Sequence, residues 1–145
     1  NKAYYQYRRF DQDHLRQIEE LVDRHGSLLG NLRSRSILTF EDSEGDRVRV
    51  LFAHFAEVLG PVGAAKCLHL LAPSFFRLWD RAIAKAHGLK LDGCAQDDYV
   101  RFIRIVKQQC TVLTTSGAEW PDLLKAIDEY NYCKYTLKVE PTSAV

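Results

Sequence analysis

The spacing of apolar positions between Val48 and Gly88 predicts three helical pieces separated by two breaks. Val48, Leu51, Phe52, Phe55, Val58 and Leu59 recur at steps of three and four, which gathers them on one side of an amphipathic helix. Gly60-Pro61-Val62-Gly63 interrupts that run. Glycine takes a positive φ without steric penalty, while proline fixes φ near the helical value, lacks an N–H and suits the first turn of a new helix. A four-residue turn and a second, short helix carrying Leu68, Leu70 and Leu71 are therefore predicted, with Pro73 helping to end it. Ser74 to Trp79 then deliver Asp80, a residue type favoured at the N-cap, to the head of a third helix that Gly88 ends.

The flanking sequence continues the helical pattern. Asp11 or Asp13 can cap a helix bearing Leu15, Ile18, Leu21 and Val22, which Gly26 weakens or ends. Residues 27–40 read as a shorter helical or irregular piece, and 41–46 as an acidic loop in which Ser43 or Asp46 caps the helix through Val48. After a loop at 89–97, Asp97 or Asp98 is expected to open a helix with Tyr99, Phe102, Ile103 and Val106 on one side and Arg101, Arg104 and Lys107 largely on the other. Ser116-Gly117-Ala118-Glu119 is a capping-box pattern with Pro121 close behind, and a last helix runs through Leu123, Leu124, Ile127 and Tyr130 to about Tyr132. No alternating strand pattern of useful length occurs. The expected fold is all-α, a single compact domain over residues 1–145 with about six helices around a hairpin core at 46–88.

Composition narrows the function classes. A length of 145 residues suits one core. The net charge is only +1, with a pI of 7.9, below the value of about 9 that marks a domain built mainly for nucleic acid. The twenty Lys and Arg would have to gather on one face to serve that purpose. No apolar run approaches the roughly 20 residues of a membrane helix and no signal-peptide pattern opens the chain, so a cytoplasmic location is expected. The chain lacks Met, which fits a trimmed start.

Cys67, Cys94, Cys110 and Cys133 show no C-x-x-C spacing, and Cys67 with His69 is an isolated near-pair. No metal, disulfide or cofactor is expected from them. Tyr4, Tyr5, Tyr7 and Phe10 interleave with Arg8 and Arg9, a mixture that can stack on bases or pin a terminal segment to the body. Arg33 and Arg35 can meet a phosphate or stand solvated. Nothing resembles a nucleotide phosphate loop, a dinucleotide fingerprint or a nucleophile with a matched base.

The chemistry concentrates at the central break. A helix restarting at Pro61 would present free N–H groups, donors suited to a phosphate, and Gly63, Ala64 and Ala65 leave almost no side chain in the way. Leu59-Gly60-Pro61-Val62-Gly63, followed by Trp79-Asp80 and Arg81 to Gly88, resembles the helix-hairpin-helix plus aspartate core of the helix-hairpin-helix DNA glycosylases. In that family the hairpin grips a DNA phosphate through main-chain N–H groups, and the aspartate assists cleavage of the glycosidic bond of a flipped base. The resemblance covers the middle third of the chain and makes Asp80 that aspartate, with duplex DNA as the partner and Gly60, Pro61, Val62, Gly63, Ala64 and Ala65 as its contacts.

The chain also departs from the family's pattern. Glycine and proline are exchanged relative to the usual hairpin, and the link from Gly63 to Asp80 is shorter. The lysine used by bifunctional members would stand at Ala65; Lys66 is one place on, about 100° round the helix. Lys66 is therefore open to three roles, as nucleophile, phosphate contact or solvated side chain. A monofunctional glycosylase is the expectation, and a non-catalytic DNA-binding or protein-interaction module the alternative. Asp80 reads either as a plain N-cap or as a cap that also serves catalysis, and Trp79 as a core anchor or a base-stacking wall.

Overall fold

A computed structural model of the chain describes residues 11–117 and 122–139. Six α-helices and no strand occur among them: α1 (Gln12–Arg24), α2 (Gly26–Arg33), α3 (Gly45–Leu71), α4 (Arg81–Ala86), α5 (Ala95–Thr115) and α6 (Asp122–Asn131), closed by a π-helical turn at Tyr132–Leu137. The all-α expectation holds. The aromatic segment at 1–10 and the capping-box residues Ala118 and Glu119 with Pro121 lie outside the described residues.

Local chemistry sets most boundaries. Asp11 caps α1, its Oδ1 accepting from His14 N at 3.0 Å. Neither Ser43 nor Asp46 caps α3. The start falls at Gly45 because Glu44 is held in place: its carboxylate takes a forked bond from Arg35 at 2.5 and 2.8 Å and accepts from Glu41 N at 3.0 Å. Arg35 is thus an internal ion pair rather than a free surface charge. Similarly, α5 starts at Ala95, two residues earlier than Asp97. Asp98 is engaged elsewhere, accepting from Lys90 N at 2.8 Å and from Arg101 at 3.2 Å. Ser116 ends α5, its Oγ donating to Leu113 O at 2.8 Å.

Helices α3 and α5 form the centre. Phe52 of α3 stacks on Tyr99 of α5 with centroids 4.2 Å apart, and Trp79 stacks on Phe102 at 5.6 Å while meeting Phe52 edge-on at 5.9 Å. Leu51, Phe55, Phe75, Phe76, Ile103 and Val106 complete a solvent-free interior. By length and composition alone, Asp42–Leu71 would be apolar enough to cross a membrane. Its Val48, Leu51, Phe52, Phe55 and Leu68 are buried in the core, and its break lies at the residues the sequence pointed to.

Candidate functional site

That break is narrower than a four-residue turn. Only Gly60 departs from helical geometry, at φ 74° and ψ 168°, and Pro61 resumes the helix at once. The physical reason lies in the Gly-Pro pair. A residue before proline is pushed out of the helical region towards extended ψ, and proline itself removes a helical hydrogen bond while fitting a first turn. Two helical segments, 45–59 and 61–71, therefore meet at one residue.

Gly63 has a second, separate role. A Cβ there would lie 2.9 Å from Leu59 Cβ, so its bare backbone lets the side chain of Leu59 pack across the bend. The close approach that the sequence reserved for a ligand is used, at least in part, by the protein itself. Ala64 and Ala65 are fully buried, whereas Gly60, Pro61, Val62 and Gly63 are half-exposed. Lys66 is exposed. Four residues after Val62, it shares that residue's face of the helix, and helical side chains lean towards the N-terminus. It leans towards the bend and away from the interior that receives Ala65.

Trp79 joins the bend to Asp80. Its ring is buried among Phe52, Tyr99 and Phe102, and its Nε1–H donates to Pro61 O at 3.2 Å. The core-anchor reading of Trp79 therefore describes its position. Asp80 follows in extended conformation and caps α4: Oδ1 accepts from Ile83 N at 2.8 Å. Its other oxygen, Oδ2, accepts from Thr136 Oγ1 at 2.5 Å. Both oxygens of the half-buried carboxylate are thus engaged within the chain.

Thr136 was not anticipated. It stands 56 residues from Asp80, in a π-helical turn whose sequence, Tyr132-Cys133-Lys134-Tyr135-Thr136-Leu137, carries no motif. Beside it, Tyr135 meets the His87 ring edge-on at 5.6 Å. Burial holds His87 below its ordinary pKa, with nearby Asn131 acting in the opposite sense.

Four cavities lie away from this aspartate. An apolar cleft of about 560 Å³ runs between α5 and α6, lined by Val112, Leu113, Ile127 and Tyr130 among others. Two smaller hollows of about 350 and 260 Å³ share Asp42 and Arg104. A fourth, of about 390 Å³, contains His69, Arg77 and Asp128. None of the four includes Asp80, Trp79, Lys66 or residues 60–65.

The basic side of α5 is tied down as well. Arg101 bonds to Asp98, Arg104 Nε donates to Asp42 at 2.7 Å, and Lys107 donates to Phe40 O at 2.5 Å. Arg104 and Lys107 bind the turns before α3 to α5, while the Arg101 pair lies within α5 itself. The four cysteines are free thiols, and no group of three or more His, Cys, Asp or Glu able to hold a metal occurs among the described residues.

Comparison with known proteins returned no matching family model, no matching curated protein and no matching solved structure.

Proposed function

We propose that the chain is a non-catalytic helical module that contacts duplex DNA through the bend of α3, on a scaffold like that of the helix-hairpin-helix glycosylases. One arrangement carries the reading: a helix that restarts at Pro61, with Val62 and Gly63 half-exposed in its first turn and Lys66 exposed on the same face. Main-chain donors and a nearby ammonium suit a backbone phosphate. Lys66 then acts as a phosphate contact. With a net charge of +1, such binding is local rather than spread over a basic surface. The expected place of action is cytoplasmic.

A second reading keeps catalysis, with Asp80 promoting hydrolytic release of a damaged base and no lysine-linked intermediate. The Trp79–Pro61 bond favours it, because that bond fixes the aspartate relative to the proposed phosphate contact. Against it stands the engagement of both Asp80 oxygens within the chain.

The deciding experiment compares binding to undamaged duplex and to duplex holding a stable abasic-site analogue, at low and moderate salt. The module reading expects similar binding to both, weakened by salt, with Lys66→Ala lowering the salt slope by about one phosphate contact. A salt-resistant preference for the abasic duplex, with base release lost in Asp80→Asn, would establish the second reading. No binding to either duplex would refute both and direct attention to protein partners.

A further inference from the structure

His25 and His54 meet where three helices converge. His25 ends α1 and begins α2, its backbone N–H bonding to Leu21 O at 2.9 Å and its carbonyl accepting from Leu29 N at 2.9 Å. Its ring nitrogen Nε2 lies 2.9 Å from Nδ1 of His54, which projects from the middle of α3. The two rings are tilted by 41° with centroids 5.1 Å apart, so the contact is a nitrogen-to-nitrogen hydrogen bond rather than a stack.

We propose that this pair is a pH-sensitive latch, holding the α1–α2 corner against α3 and releasing it when both imidazoles are protonated. A neutral imidazole carries one N–H and one bare nitrogen, and a protonated one carries two N–H groups. A bond between two rings needs one donor and one acceptor. The pair satisfies that requirement with both rings neutral or with one proton added. A second added proton places two N–H donors and two positive charges face to face with no acceptor between them. The contact must then open.

The surroundings reinforce this. Burial, then the charge of His54, then that of Arg24 hold His25 below its ordinary pKa. The charged groups near the pair in sequence are Asp23 and Arg24 on α1 and the exposed Glu57 one turn along α3; α2 has none before Arg33. No third ligand joins the pair to make a metal site among the described residues. A proton is the ligand the geometry can read.

The sign comes from linkage. A histidine whose folded pKa is lowered stabilises the fold in its neutral form, so the contribution is complete above the unfolded value of about 6.5 and declines as pH falls below it. Imidazole resonances followed by NMR from pH 8 to pH 4.5, with amide exchange in α1 and α2, test this in the whole chain. His25 should titrate below the range of free histidine, and His54→Gln should move it back towards that range. Amide protection at 21–29, relative to that in α5, should fall on acidification in the wild type and stay flatter in His54→Gln. His25→Gln is the reciprocal variant should either replacement unfold. Rings that titrate independently of each other's replacement, or protection at the corner that ignores pH, would overturn the latch.

Discussion

Replacing Gly60 by Ala isolates the bend. At φ 74° and ψ 168° an L-residue with a Cβ is strained, in a region populated almost only by glycine. A Cβ there has no neighbour within 4 Å, so the penalty is backbone strain without a packing clash. Residues held in such regions cost roughly 1–3 kcal/mol, a sizeable share of the 5–15 kcal/mol that stabilises a typical domain. The chain cannot escape by straightening, because Pro61 disfavours the helical region at residue 60 and its ring opposes a continuous helix. For a domain near 150 residues the loss should lower Tm by about 4–8 °C if it is near 2 kcal/mol. Urea unfolding monitored by far-UV circular dichroism would measure it, beside two companions. Gly63→Ala should lose stability through overpacking against Leu59, 2.9 Å from the new Cβ, at a cost of about 1–3 kcal/mol. Gly30→Ala, inside α2 with open space around it, should gain about 0.5–1 kcal/mol. A Gly60→Ala protein within about 0.5 kcal/mol of wild type, the scatter expected for a neutral surface change, would refute the constraint.

Asp80→Asn should retain the cap and melt close to wild type, since Asn and Asp cap comparably, whereas Asp80→Ala should lose about 1 kcal/mol or more because Ile83 N and Thr136 also lose their acceptor. Equal melting of the two variants would deny the cap its role. Asp128→Ala should destabilise by about 3–5 kcal/mol by stranding the buried Arg77 guanidinium, whose Nη1 lies 3.0 Å from Asp128. Urea titration of that variant and of Arg77→Met/Asp128→Leu should show the apolar pair recovering much of the loss; a double variant as unstable as the single one would contradict this. Alkylation of the native protein at pH 8 should label exposed Cys94 first and leave Cys110 unmodified, because burial pushes that thiol up to about 11. Mass spectrometry showing early labelling of Cys110 would contradict its position inside α5.

The helical architecture was legible because the first half of α3 and most of α5 present their apolar residues inward at the expected period, whereas Leu15 of α1 and Leu70 of α3, which the spacing also marked, are exposed. Phe52, Phe55, Tyr99, Phe102 and Val106 all enter the core from positions that the spacing marks as inward. Boundaries were less legible where distant partners decide them. The start of α3 depends on Arg35 reaching Glu44, and that of α5 on Lys90 taking Asp98. Neither pairing follows from local propensity. The same physics hid Thr136, whose hydroxyl reaches Asp80 through tertiary packing alone. At the bend the Gly-Pro pair announced a break, but its length was set by sterics that a single residue could satisfy.

The bend and the aspartate cannot be treated as independent features. Trp79 precedes Asp80, and its indole is fixed by three aromatic neighbours and by Pro61 O, so a shift of segment 61–71 is transmitted to the residue that caps α4. The π-helical turn approaches the same carboxylate from the opposite end of the chain, through Thr136. Asp80 therefore joins three elements: the bent helix through its neighbour, α4 through the cap, and the C-terminal turn through the hydroxyl. A carboxylate so placed has a complete structural reason to exist. A glycosylase-like role for Asp80 would need a substrate to reach a carboxylate that already accepts from Ile83 N and Thr136 Oγ1, and a phosphate contact at the bend would need main-chain donors beside a Gly63 against which Leu59 already packs.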